Sequence, residues 1–104
     1  NDLYSNKEVL DLVKDHVGVE VKERSLNLNS SSIRKDHDIV LAGIHLGREI
    51  YGSPTLSDQA NLSCPSLKLG PGDSLRSHTA DEFIYEKEIF EGIELYIKIL
   101  KEIV

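Results

Sequence analysis

The sequence contains no methionine and no tryptophan, and its only cysteine is Cys64. A single cysteine cannot form a disulfide within the chain, so we expect a reducing compartment, the cytoplasm. The chain starts at Asn1 with no initiator methionine, charged leader or apolar leader segment. These absences argue against a secretory precursor and predict a fragment of a longer protein. No apolar run approaches the roughly 18 residues of a membrane span.

Basic residues are fewer than acidic ones, 12 against 18, so the net charge at neutral pH is −6. Nucleic acids and anionic membrane surfaces both attract basic faces, so this charge balance argues against either partner. Hydrophobic residues make up 39% of the chain and charged residues 29%, which is the composition of a globular protein. A length of 104 residues allows one domain, or parts of two.

The first part of the chain has the patterns of a helix followed by strands. Residues 5–16 are predicted to form a helix, with Ser5 as N-cap and Glu8 completing a capping box. Apolar and polar residues then alternate over residues 19–22, and again over 26–28, which is typical of half-buried strands. The polar segment that follows, Asn29-Ser-Ser-Ser32, is the most linker-like point of the sequence.

After this hinge the sequence predicts a helix over residues 38–51 and a short helix over 55–62. A short strand is predicted at 67–69. The last helix, over residues 89–104, shows the clearest apolar stripe, with residues three and four positions apart. The stripe consists of Ile89, Ile93, Tyr96, Ile97, Leu100, Ile103 and Val104. This order of elements predicts an α/β fold with too few strands for a complete sheet.

His78 is the most promising candidate for chemistry. It follows the predicted strand and the turn Gly70-Pro71-Gly72, a position where α/β folds place their sites. It also precedes Thr79-Ala-Asp-Glu82, a capping-box pattern that would fix the start of the last helix. On spacing alone, we prefer to interpret these residues as a surface histidine, a tight turn and a simple helix cap.

The other histidines, His16, His37 and His45, lack partners at the spacing of a metal site. The sequence contains no His-x-x-x-His, Cys-x-x-Cys or Glu-x-x-His pattern. This chain alone is therefore not expected to enclose zinc with four ligands. It also has neither a nucleophile elbow nor a phosphate-binding loop.

Residues 52–83, GSPTLSDQANLSCPSLKLGPGDSLRSHTADEF, carry a family resemblance when taken in order. Together with the amphipathic last helix, they resemble the C-terminal end of the acetylornithine deacetylase / succinyl-diaminopimelate desuccinylase family of zinc amidohydrolases. The matching features are Ser57-Asp58, the predicted strand, Gly70-Pro71, and the His-x-x-x-Glu of His78 and Glu82. Each feature alone is unspecific, whereas the ordered set is fairly specific.

The resemblance implies a metallopeptidase-like catalytic domain of α/β type with a ferredoxin-like lid domain inserted in it. Residues 1–29 would be the last helix and strand of the lid, which also forms the homodimer. Residues 30–104 would be the C-terminal part of the catalytic domain. The parent enzyme would be a cytoplasmic deacetylase of arginine biosynthesis that removes the acyl group of an N-acyl amino acid, N-acetylornithine above all.

The resemblance also assigns roles to particular residues. His78 would be a ligand of one of two zinc ions, which polarise an amide carbonyl and activate a bridging water. The residues expected to border the substrate are Ser53, Thr55, Ser57, Asp58 and Gly70. Those expected to support the site are Pro71, Gly72, Thr79 and Glu82.

The family's other metal ligands, its glutamate base and its lid arginine have no counterpart in this chain. We therefore expect no catalytic residue within the 104 residues, and no hydrolase activity or tight zinc binding from them alone. The missing N-terminal part of the same protein would be the partner. Two alternatives stay open: a non-catalytic α/β interaction module, and a related desuccinylase, dipeptidase or carboxypeptidase.

Overall fold

The computed structural model describes residues 2–104, and these residues form helices joined by long irregular segments. Three α-helices are present, α1 (Asn6–His16), α2 (Asp38–His45) and α3 (Glu86–Ile103). Two short 3₁₀ turns lie between α2 and α3, at Asp58–Asn61 and Ser74–Arg76. None of the helices within residues 2–104 combines the length and apolar character that crossing a membrane requires.

The predicted α/β fold is wrong, because no strand occurs anywhere in residues 2–104. Residues 19–22, 26–28 and 67–69, which the sequence predicts as strands, are irregular instead. A strand needs a neighbour to receive its backbone hydrogen bonds, and alternation of apolar residues does not supply one. Val19 illustrates the result: its side chain is 74% exposed rather than packed on a sheet face.

The chain divides into two compact units. The first comprises the residues up to Ile33 together with Gly52–Leu67, and the second comprises Arg34–Tyr51 and Lys68–Val104. Both units are discontinuous in sequence, so they differ from the lid and catalytic segments implied by the resemblance. That domain division concerns a larger parent protein and stays a prediction.

In the first unit, α1 begins as the sequence predicts. Ser5 is its N-cap, its hydroxyl accepts the Glu8 backbone N–H at 3.2 Å, and the Glu8 carboxylate accepts the Ser5 N–H at 2.7 Å. Side-chain amides take the place of the expected strand ladder next to this helix. Asn6 Nδ2 donates to the Leu28 carbonyl at 3.0 Å, and the Asn6 N–H donates to the side chain of Asn29 at 2.8 Å.

In the second unit, α2 packs against α3, and the buried apolar residues are Val40, Ala42 and Ile99. The helix α2 ends six residues before the sequence predicts. Gly47 has a positive φ of 77°, and its N–H bonds back to the carbonyl of Ile44. This left-handed conformation, which suits glycine, closes the helix.

Candidate metal-ligand loop

His78 lies in an exposed loop, residues 77–82, between the second 3₁₀ turn and α3; we call this segment the His78 loop. Its backbone has a φ of 59°, the only positive value at a non-glycine residue in the part of the chain that the structure describes. Such left-handed backbone is uncommon outside glycine, and histidine, asparagine and aspartate are the residues that adopt it more often than the rest. The His78 N–H donates to Oε2 of Glu82 at 3.0 Å, so the carboxylate is held by the loop's own backbone.

The Thr79–Glu82 capping box that the sequence predicts does not start a helix. The Thr79 hydroxyl donates to the carbonyl of Arg76 at 2.8 Å, and α3 begins only at Glu86. The Glu88 carboxylate instead accepts the backbone N–H of Tyr85 at 2.9 Å, next to the start of the helix. Thr79 and Glu82 thus shape the His78 loop itself rather than cap α3.

One face of α3 contacts the segment that leads into this loop at three points, four residues apart. The Tyr96 hydroxyl donates to the carbonyl of Leu69. Gly92 lies so close to Pro71 that a Cβ on the glycine would come within 3.0 Å of the proline Cβ. Glu88 forms the third contact, an ion pair with Arg76.

The turn Gly70-Pro71-Gly72 lies against α3 and against Ile84, which precedes the helix. Gly72 has a φ of 86°, and a Cβ built there would lie 3.3 Å from Cδ1 of Ile84. A side chain at this position would therefore be strained by its backbone and crowded by its neighbour. Pro71 thus lies against α3 and Gly72 against Ile84, and the role of both in supporting a metal site stays a prediction.

Arg76 is the residue of this region that the sequence interpretation missed. Its side chain is only 17% exposed, and its ion-pair partner Glu88 is 27% exposed. The bond from Glu88 raises the pKa of Arg76, and the same bond, with the Tyr85 N–H, lowers the pKa of Glu88. The sequence marks the helix face that Arg76 contacts rather than Arg76 itself: Glu88, Gly92 and Tyr96 recur every fourth residue, and a glycine inside a strong helix often marks a close backbone approach.

The predicted substrate residues fall into both units. Ser53, Thr55, Ser57 and Asp58 belong to the first unit, whereas Gly70 belongs to the second with His78. The hydroxyls of Ser53 and Thr55 share a hydrogen bond of 2.7 Å. Asp58 opens the first 3₁₀ turn after Ser57, which makes no side-chain cap bond. Thr55 therefore does not cap a helix here, and the predicted substrate roles remain predictions.

The remaining histidines have local partners on their own elements or nearby. His16 Nδ1 lies 2.8 Å from the carbonyl of Leu12, and the His37 side chain accepts the Ile39 N–H at the start of α2. His45 Nδ1 is 3.6 Å from the Glu102 carboxylate.

The zinc implied by the resemblance can be tested against the donor groups present. A zinc site needs three or four donors around one point. Within residues 2–104, no group of three or more histidine, cysteine, aspartate or glutamate side chains is placed to hold a metal. His78 is exposed on its loop and can offer one imidazole nitrogen. Zinc ligation by His78 therefore stays a prediction.

Comparison with models of known protein families and with curated proteins finds no match for this sequence.

Proposed function

We propose that this chain is the C-terminal portion of a zinc-dependent amidohydrolase that removes the acyl group from an N-acyl amino acid, with N-acetylornithine as the preferred substrate. The proposal rests on the ordered resemblance of residues 52–83. One of the matching features, the predicted strand at 67–69, is absent from the structure, so the proposal rests on Ser57-Asp58, Gly70-Pro71, and His78 with Glu82. In this proposal His78 supplies one metal ligand, and the catalytic base and remaining ligands belong to the N-terminal part of a cytoplasmic, homodimeric parent enzyme.

The observation that carries the proposal is the environment of His78. The residue is exposed near the start of a loop that is joined to α3 through Arg76 and Glu88, and the carboxylate of Glu82 already accepts a backbone hydrogen bond. The left-handed backbone of His78 is compatible with a ligand held in one orientation, and histidine also adopts this conformation in ordinary turns. An exposed imidazole on a fixed loop suits a ligand that completes a site formed by other parts of a protein.

The apolar face of α3 favours association with the missing N-terminal part. Several large side chains on this helix are about half exposed, including Ile93 at 52%, Ile97 at 48% and Leu100 at 53%. Contiguous exposed apolar surface of this kind marks a contact region. The same observation would favour a non-catalytic interaction module, which is the second candidate.

An activity assay of the full-length parent tests the proposal. His78→Ala should lower kcat/KM for N-acetylornithine by at least about a hundredfold, because loss of a metal ligand removes most of the Lewis-acid chemistry. His45→Ala is the matched control, since His45 is an exposed histidine on another element. Near-normal turnover by the His78 variant would contradict the proposal.

Two further assays separate the alternatives. Faster hydrolysis of N-succinyl-diaminopimelate or of a dipeptide would move the parent to a related desuccinylase or dipeptidase. Zinc titration of the 104-residue chain, followed by calorimetry, addresses the interaction module. We expect no stoichiometric sub-micromolar binding from the chain alone; such binding would show a complete metal site within it and contradict the shared-site proposal.

A further inference from the structure

The base of the His78 loop is closed by one arginine and two aromatic rings. The guanidinium carbon of Arg76 lies 4.9 Å from the ring centroid of Phe83 and 5.2 Å from that of Tyr85. The two rings meet edge to face at 5.3 Å and 79°. Arg76 immediately precedes the loop and the rings follow it, so these contacts join its two ends.

An ion pair fixes the same arginine to α3. Its Nη2 atom bonds Oε1 of Glu88, while Oε2 of Glu88 accepts the N–H of Tyr85. Its Nη1 atom is buried and has no hydrogen-bond partner in the described residues. The pair Arg34–Asp36 provides a contrast in the same unit, because those side chains are 83% and 63% exposed.

The hydrogen bonds inside the loop are exposed to water. They join the His78 N–H to Glu82, and the Thr79 hydroxyl to the carbonyl of Arg76. Exposed bonds of this kind exchange readily with solvent and hold a conformation weakly. A left-handed backbone at a non-glycine residue persists only where the surroundings impose it. The ion pair of Arg76 with Glu88 is less exposed than these bonds, and the rings of Phe83 and Tyr85, which are 51% and 62% exposed, add contact at the other end of the loop.

We propose that Arg76 is a positioning residue: by stacking on Phe83 and Tyr85 and pairing with Glu88, it closes the His78 loop and holds His78 in its left-handed conformation. The significance of His78 as a metal ligand rests on the proposed function. The effect of Arg76 on the backbone conformation of His78 does not rest on the proposed function, and it can be measured without metal. Arg76 therefore acts through the backbone of His78 rather than on a substrate.

The test is an NMR measurement on the 104-residue chain. In the unmodified chain, a strong intraresidue HN–Hα NOE should mark the positive φ of His78. Arg76→Gln should weaken this NOE and speed exchange of the His78 amide about tenfold, while the Ile99 amide inside α3 stays protected. Arg34→Gln, which removes the exposed pair instead, should leave both amides unchanged. An unchanged His78 NOE and exchange rate in Arg76→Gln would overturn the proposal.

Arg76→Lys serves as the second variant in case the glutamine variant disturbs α3. Lysine keeps the charge but lacks the planar group that stacks and pairs in two directions. It should therefore produce a smaller change at His78, with Ile99 unaffected. Equal loss of protection at His78 and Ile99 in both variants would overturn the proposal, because Arg76 would then support the whole helix rather than the loop.

The parent enzyme separates this inference from the proposed function. Arg76→Gln should weaken binding of one zinc ion at least about fivefold in a chelator competition, because a mobile ligand binds less tightly. If His78→Ala leaves zinc binding intact while Arg76→Gln still alters the His78 NOE, the zinc role fails and the positioning role stands. The reverse pattern, zinc loss in the alanine variant with no NOE change in Arg76→Gln, refutes the positioning role alone.

Discussion

Glu88 makes two contacts with a single carboxylate. One oxygen pairs with Arg76, and the other accepts the backbone N–H of Tyr85 at the start of α3. At the scale of single residues, this side chain therefore joins the His78 loop to its helix. The bond to Tyr85 spans three positions, whereas Arg76 and Glu88 are twelve positions apart, so local spacing does not predict the ion pair.

The titration of Glu88 gives a prediction about pH. The Arg76 guanidinium first, and then the Tyr85 N–H, hold the pKa of the Glu88 carboxyl below its usual value. Because the folded chain lowers this pKa, the stability that the contacts contribute is present above the ordinary carboxyl pKa of about 4.3. That contribution is lost as the pH falls through the lower folded value. An NMR titration of the Glu88 side-chain carboxyl carbon should show a midpoint below the ordinary range.

The control for this titration is Arg76→Gln, which removes the first cause of the shift. The Glu88 midpoint should then move upward, toward the ordinary carboxyl value. The same midpoint in both proteins would show that Arg76 does not hold the carboxylate in solution.

At the scale of elements, α3 contacts the preceding segment through Glu88, Gly92 and Tyr96. The four-residue spacing places the three on one side of the helix. Gly92 is the point of closest approach, because Pro71 occupies the space that a Cβ would need. A bulkier residue there would have to displace the proline or the helix.

Two glycine-to-alanine substitutions test this contact. Gly43→Ala in α2 meets no atom within 4 Å, so it should raise the free energy of unfolding by about 0.5–1 kcal/mol through helix propensity. Gly92→Ala gains the same propensity but forces Pro71 to move, and overpacking costs about 1–3 kcal/mol. Urea unfolding should therefore show stabilisation by the first and destabilisation by the second. Equal stabilisation by both would show that Pro71 does not lie against α3.

Local sequence signals predict helix starts well where both partners lie within one turn. The capping box of Ser5 and Glu8 is an example: the partners are three positions apart, and it forms as predicted. The similar pattern of Thr79 and Glu82 does not cap a helix. The Thr79 hydroxyl donates instead to the carbonyl of Arg76, and the Glu82 carboxylate accepts the N–H of His78. A capping-box pattern thus predicts which side chains can form hydrogen bonds, and the neighbouring backbone groups determine which bonds form.

The predicted strands fail for a different physical reason. Alternation over residues 19–22 describes which side chains could share a face, but a sheet also requires a second segment at hydrogen-bonding distance. Asn6 and Asn29 provide side-chain partners for backbone groups near residues 26–28, in place of a ladder. His78 could be selected from its position in the sequence, whereas Arg76 could not, since its role depends on contacts along α3.

At the scale of the whole molecule, the chain buries few apolar side chains. Val40, Ala42 and Ile99 are the buried hydrophobic residues of the described part, whereas much of the apolar stripe of α3 is exposed. A chain of this size with so little buried surface has little hydrophobic stabilisation of its own. We therefore expect the exposed side of α3 to be covered in the parent protein.

The most direct test of the central proposal is the number of zinc ions bound tightly by the purified parent protein, with and without His78. The proposal predicts two per subunit for the unmodified protein and for His45→Ala, and about one for His78→Ala, because a single ligand of one site is lost. Two tightly bound ions in the His78→Ala protein would contradict the assignment of His78 as a metal ligand.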